Sequence, residues 1–169
     1  MSLNKFISIN TDGDLQEEQA INVSAGAGDA DKIVSTNADG KIDETLIPGS
    51  ETLTLMASEN LTAGDWVNVW NDAGTPKMRK ADASNGMSHE AHGFVLSTIT
   101  SGATGKFYGE GINTQVSGLT GGKTYFLGTT PGSESATPPA TSGYILQKLG
   151  VAVGATAIKC ELSNPVIRA

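Results

Sequence analysis

Cysteine is nearly missing from this chain. Cys160 is the single one among 169 residues, so no disulfide can form within the chain. It falls in the alternating run Ala157-Ile158-Lys159-Cys160-Glu161-Leu162, where a packed small residue is expected in preference to a nucleophile. Aromatic residues make up only 5% and charged residues 17%, the latter well under the ~25% of an ordinary soluble domain. No stretch approaches the ~18 apolar residues that would span a bilayer, so no membrane partner is expected. Residues 1–10 hold one lysine and no apolar segment of the secretory kind, so no signal for export is visible. Runs of Ala, Leu, Glu and Lys that would make long helices are also scarce. What is present is glycine, at 21 residues, with abundant Ser and Thr. Such a composition predicts a mainly β chain of short strands joined by turns. The 17.4 kDa mass fits one domain with a tail, or at most two small ones.

Charge is distributed unevenly. Residues 1–51 carry ten acids against three bases (Lys5, Lys32, Lys41), a net of −7, while residues 52–169 carry eight of each. Phe6 is the only aromatic before Trp66. A segment this acidic and this poor in aromatics buries too little apolar surface to fold alone. Residues 1–51 are therefore expected to be an extended acidic arm that becomes ordered on a partner, and residues 52–169 the β-domain. An acidic arm argues against nucleic acid, whose phosphates repel it, and suits a basic or mixed protein surface.

Within the arm, Leu15-Gln16-Glu17-Glu18-Gln19-Ala20-Ile21 predicts a short helix capped by Asp12 or Asp14. The run from Gly26 to Ala30 breaks it. Lys32-Ile33-Val34-Ser35 predicts a short extended piece, Asn37-Ala38-Asp39-Gly40 a tight turn, and Pro48-Gly49 a stop. Phe6, Ile33, Val34, Ile42, Leu46 and Ile47 are the apolar candidates to anchor the arm on another protein. The same spacing also suits a small hairpin packed on its own domain.

From residue 52 the periodicity becomes that of strands. Leu53-Thr54-Leu55-Met56-Ala57 is a first strand. Trp66-Val67-Asn68-Val69-Trp70 and Thr75 to Lys80 form a hairpin across Asn71-Asp72-Ala73-Gly74. Strands are also expected within residues 91–99, 103–112, 125–127, 143–153 and 155–162, with loops at 82–90 and 128–142. Eight or nine strands in about 110 residues is the spacing of a sandwich or barrel. Leu61-Thr62-Ala63-Gly64 and Leu119-Thr120-Gly121-Gly122 echo each other, each a glycine turn that swings the chain into a strand.

Motifs for catalysis are weak. His89 and His92 are three apart and flanked by Gly86 and Gly93, unlike the helical i, i+4 pair of a zinc protease. Gly122-Lys123-Thr124 lacks the leading glycine of a phosphate loop, its place being taken by Ser117, and a strand follows in place of a helix. No Ser sits in a nucleophile elbow. Trp66 and Trp70, four apart on one strand, could stack a sugar, but core or interface packing is the commoner use of such a pair. The expectation is no enzyme, no catalytic residue, no metal and no cofactor.

The stretches Gly28-Asp29-Ala30-Asp31-Lys32-Ile33-Val34 and Asp39-Gly40-Lys41-Ile42-Asp43-Glu44-Thr45-Leu46-Ile47-Pro48-Gly49 resemble an arm motif of phage and prophage structural proteins. Ala63 to Val69, Arg79 to Ala83, Ala91 to Val95, Gly109 to Asn113 and Gly118 to Gly122 resemble the β-domain that follows it. On these residues the chain resembles the tailed-phage capsid decoration (cement) proteins, or a related head or tail fibre domain, from about Gly26 to Leu162. The resemblance implies a β-tulip-like antiparallel barrel or sandwich and a homotrimer. It implies the major capsid protein as partner, with the arms spread over the outer surface of the virion after synthesis in the bacterial host cytoplasm. The alternative is a fibre or adaptor protein that reads a host glycan or receptor through residues 82–90, residues 128–142 and the Trp pair.

Overall fold

Turn chemistry frames the N-terminal part of the chain. The structure, a computed structural model, describes residues 5–29, 32–43, 46 and 52–169. The chain divides into two compact units, Met1–Ser50 and Glu51–Ala169. In the first, β1 (Lys5–Ile9) and β2 (Leu15–Gln19) form an antiparallel hairpin. Its loop is closed by Asn10, whose side-chain oxygen accepts from the amides of Asp12 at 3.0 Å and Asp14 at 2.9 Å. Gly13 supplies the positive φ of 88° that the return requires. The same device recurs at Asn37, which accepts from Asp39 and Lys41, both at 3.0 Å, with Gly40 at φ 74°. A parallel bridge between Ile21 and Val34 joins the two halves of the unit.

The helix expected over residues 15–21 is not there. Leu15–Gln19 is a strand, because the Asn10 loop folds it back onto β1 and satisfies its amides across the ladder. Lys5 meets Glu17 at 2.6 Å and Ser8 meets Glu18 at 2.8 Å, cross-strand pairs that a helix would forfeit.

The second unit is mainly β, as expected. Five strands close a barrel in the order β3 (Thr52–Ala57), β5 (Thr75–Lys80), β4 (Trp66–Asp72), β6 (Gly93–Phe94) and β7 (Thr104–Tyr108). The barrel is antiparallel except where β3 runs parallel to β5, Met56 opposite Lys77. A five-stranded sheet lies beside it, in the order β10 (Glu134–Ser135), β9 (Thr124–Leu127), β12 (Lys148–Ala152), β13 (Ile158–Cys160) and β8 (Ile112–Asn113). β11 (Ile145–Leu146) pairs with β14 (Val166–Ile167). That makes twelve strands among the described residues of this unit, where eight or nine were expected. Runs read as single strands break up: only Gly93 and Phe94 of residues 91–99 are strand, and 143–153 divides into β11 and β12.

Strand alternation in β4 feeds two cores at once. Val67 and Val69 face the barrel interior with Leu61, Met78, Val95 and Phe107. Trp66 faces the other way, into the core beside the second sheet with Tyr125, Leu127, Leu149 and Ile158. There the Trp66 ring meets Phe94 edge-on at 5.6 Å, and Phe94 stacks on Tyr108. Gly93 is required where β6 closes the barrel, since a Cβ would collide with the Tyr108 carbonyl and the Phe107 ring. Gln147, buried, ties the barrel to the second sheet: its amide accepts from Ala91 N–H and donates to Ala91 C=O, both at 2.8 Å.

The two echoed turns have the same backbone. Thr62 C=O accepts from Asp65 N–H at 3.0 Å and Thr120 C=O from Lys123 N–H at 3.2 Å, with Gly64 and Gly122 at positive φ. Residues 83–89 form short 3-10 turns in place of a plain loop, begun by Asp82, whose carboxylate accepts from Ser84 N–H. The expected exposed loop at 128–142 carries β10 and buries Gly128, Gly132 and Pro139.

Candidate functional site

The strand period assigns the hairpin's two faces. Lys5, Ile7, Ile9, Leu15, Glu17 and Gln19 share one face, and Phe6, Ser8, Gln16 and Glu18 the other. Ser8, Gln16 and Glu18 are knit together by hydrogen bonds of 2.6–2.8 Å to the Glu18 carboxylate. The opposite face is the apolar one, and it is open. Ile7 is 69% exposed, Ile9 70% and Leu15 74%. A solvated hairpin ordinarily does the reverse, with apolar residues covered and polar residues out.

The expected anchors fall in different settings. Phe6 is partly buried on the polar face of the hairpin. Ile33, Val34 and Ile42 are exposed, at 50%, 44% and 53%, and Val34 also holds the bridge to Ile21. Leu46 is partly buried, its N–H donating to Asp43 C=O. Ile47 lies outside the described residues. The hairpin face was not among the expected anchors, although its signal was present: Ile7-Ser8-Ile9 alternates, and Asn10-Thr11-Asp12-Gly13 matches the turn recognised at Asn37. Asp29 steadies the bend between the two segments. Its carboxylate accepts from Lys32 Nζ at 2.7 Å and from Ala25 N–H, and these bonds, Lys32's first, hold it below the usual carboxylate range.

In the second unit both histidines are hydrogen-bonded. His92 Nδ1 accepts from Val69 N–H at 2.9 Å, which leaves Nε2 to donate to Glu90 at 3.1 Å. His89 bonds Ser88, and burial followed by the nearby Arg79 charge pushes its pKa down. Among the described residues no group of three or more His, Cys, Asp or Glu is placed to hold a metal ion. The tryptophans do not make a sugar platform. Trp66 is wholly buried, and Trp70 is capped by Arg79 at 4.7 Å and donates to Ser58. A cleft of about 520 Å³ is lined by Glu110, Ile112, Lys159, Cys160 and Glu161. Burial pushes the Cys160 thiol up to about 11, which keeps it protonated near neutral pH. A smaller cleft of about 290 Å³ holds Thr129, Thr130, Thr137 and Glu134. Burial raises the Glu134 carboxyl, and the Trp66 indole N–H favours its charged form from nearby, at a geometry looser than a hydrogen bond.

No family model matches the chain, and no curated protein matches it.

Proposed function

We propose that this chain is a structural protein of a tailed-phage particle, a decoration protein that binds the outer capsid shell at capsomer junctions through its N-terminal unit and stabilises it. The observation that carries this reading is the character of the first unit: it holds a net charge of −6 out of the chain's −7 and turns Ile7, Ile9 and Leu15 of its hairpin outward. Such a surface is built to be covered by another protein. The second unit contributes a double-cored β scaffold with Trp66 buried in one core and both histidines hydrogen-bonded, which suits a strut. In this role many copies on one lattice, assembled as homotrimers, turn modest single-site affinity into durable attachment through multivalency. The work done is mechanical: added buried area at each junction resists the strain of a filled shell.

The test is the copy number of the chain in purified virions relative to the major capsid protein. Near-stoichiometric abundance is expected. A trace amount would replace this reading with a fibre or vertex role.

A further inference from the structure

We infer that the open face of the β1–β2 hairpin, built by Ile7, Ile9 and Leu15, is a docking surface for an extended, apolar segment of a different protein flanked by lysine or arginine. The inference rests on the proposed function for its biological setting, the N-terminal unit being the attachment element. Its chemistry stands on the hairpin alone.

Three observations converge on that occupant. First, the three side chains lie together by register, Ile9 opposite Leu15 and Ile7 opposite Glu17, and all are more than two-thirds exposed. A two-stranded ribbon is marginal in water and gains most from a further layer or strand over its apolar side. Second, among the described residues the sheet contains only these two strands, and no third strand pairs along the outer side of β1. The β2 edge is guarded by Glu17 and Glu18, while β1 carries a single charge, Lys5. An extended partner can therefore lie over the apolar face and along β1.

Third, charge selects the partner. Residues 5–19 hold one lysine against four acids (Asp12, Asp14, Glu17, Glu18), a net of −3, and Lys5 is already paired with Glu17. Two copies of the hairpin with their open faces together would bring in Asp12, Asp14 and Glu17 of each, six acids against two lysines, which argues against self-association through this surface. A partner with basic flanks meets Asp12 and Asp14 at the loop end, while its apolar residues cover the isoleucines.

The experiment follows amide signals of the full-length chain by NMR during titration with two peptides of alternating valine and threonine, one flanked by lysines and one by glutamates. The lysine-flanked peptide is expected to shift the signals of residues 5–9 and 15–19. It should bind at least about tenfold more tightly than the glutamate-flanked one, and more weakly as salt is added. An Ile7→Ser, Ile9→Ser variant should lose these shifts while residues 15–19 keep their strand signals, which separates lost docking from lost folding. Equal binding of both peptides, no binding, shifts confined to residues 52–169, or concentration-dependent self-association through residues 5–19 would each overturn the inference. Failure here with abundant protein in virions defeats this inference alone. Success here with only trace protein in virions defeats the decoration reading alone.

Discussion

Gln147 shows how much one side chain can hold. It supplies both a donor and an acceptor to the backbone of Ala91, acting as a strand pair of one residue between barrel and sheet. Gln147→Leu keeps the volume and strands both Ala91 groups away from water, so a loss of about 2–4 kcal/mol in chemical denaturation is expected. Ala73 marks a place where the chain can gain. It sits at φ 50° before Gly74 at φ 91°, a two-residue hairpin turn in which alanine is strained. Ala73→Asn should raise stability by about 0.5–1 kcal/mol, read as a higher denaturation midpoint. Glu134 carries the pH dependence. Its carboxyl is raised in the folded state, chiefly by burial, so the folded protein holds that proton more tightly than the unfolded chain. Stability is therefore penalised above the folded-state value and recovers as pH falls through it. Glu134→Gln should raise the melting temperature at neutral pH, and the gain should vanish in acid below the ordinary glutamate range.

At the scale of elements, the Asn-x-Asp-Gly loops are the devices to test. Asn10→Ala removes the acceptor for two amides at once, and the β1–β2 cross-strand signals in NMR should weaken or disappear while the barrel signals stay in place. These loops also show what was legible in the sequence. β4 was read from its alternation, and β5 to the residue from Thr75 to Lys80 as the return strand after the Asn71–Gly74 turn. Mainly β architecture followed from composition. β2 was misread because Leu-Gln-Glu-Glu-Gln has good helix propensity, and the deciding interaction, pairing with β1, lies across the Asn10 loop and not within the segment. The two-core arrangement was out of reach. Trp66 and Val67 are adjacent, both wholly buried, and serve different cores, so the period alone could not say which of them pointed inward. The expected anchors leaned on the segment after residue 32, and the hairpin face emerged only when register placed Ile7, Ile9 and Leu15 side by side.

At the scale of the whole molecule, the second unit joins distant parts of the chain. β3 is hydrogen-bonded to β5 on one side and to β7 on the other, and Trp66 shares its core with Ile158. A chain ending at residue 157 should therefore fail to fold in this unit, seen as loss of the near-ultraviolet signal of its tryptophans, even though all five barrel strands are present. The order of synthesis gives this closure a further meaning. On the ribosome the barrel has no last strand until Tyr108 has emerged, and the core beside the second sheet has no lid until Ile158. Folding of this unit is thus held back until translation has passed Ile158, with one edge of β3 waiting unpaired until β7 is made. A message cut short yields no half-formed scaffold able to occupy a binding place, so the topology itself acts as a proofreader of chain length.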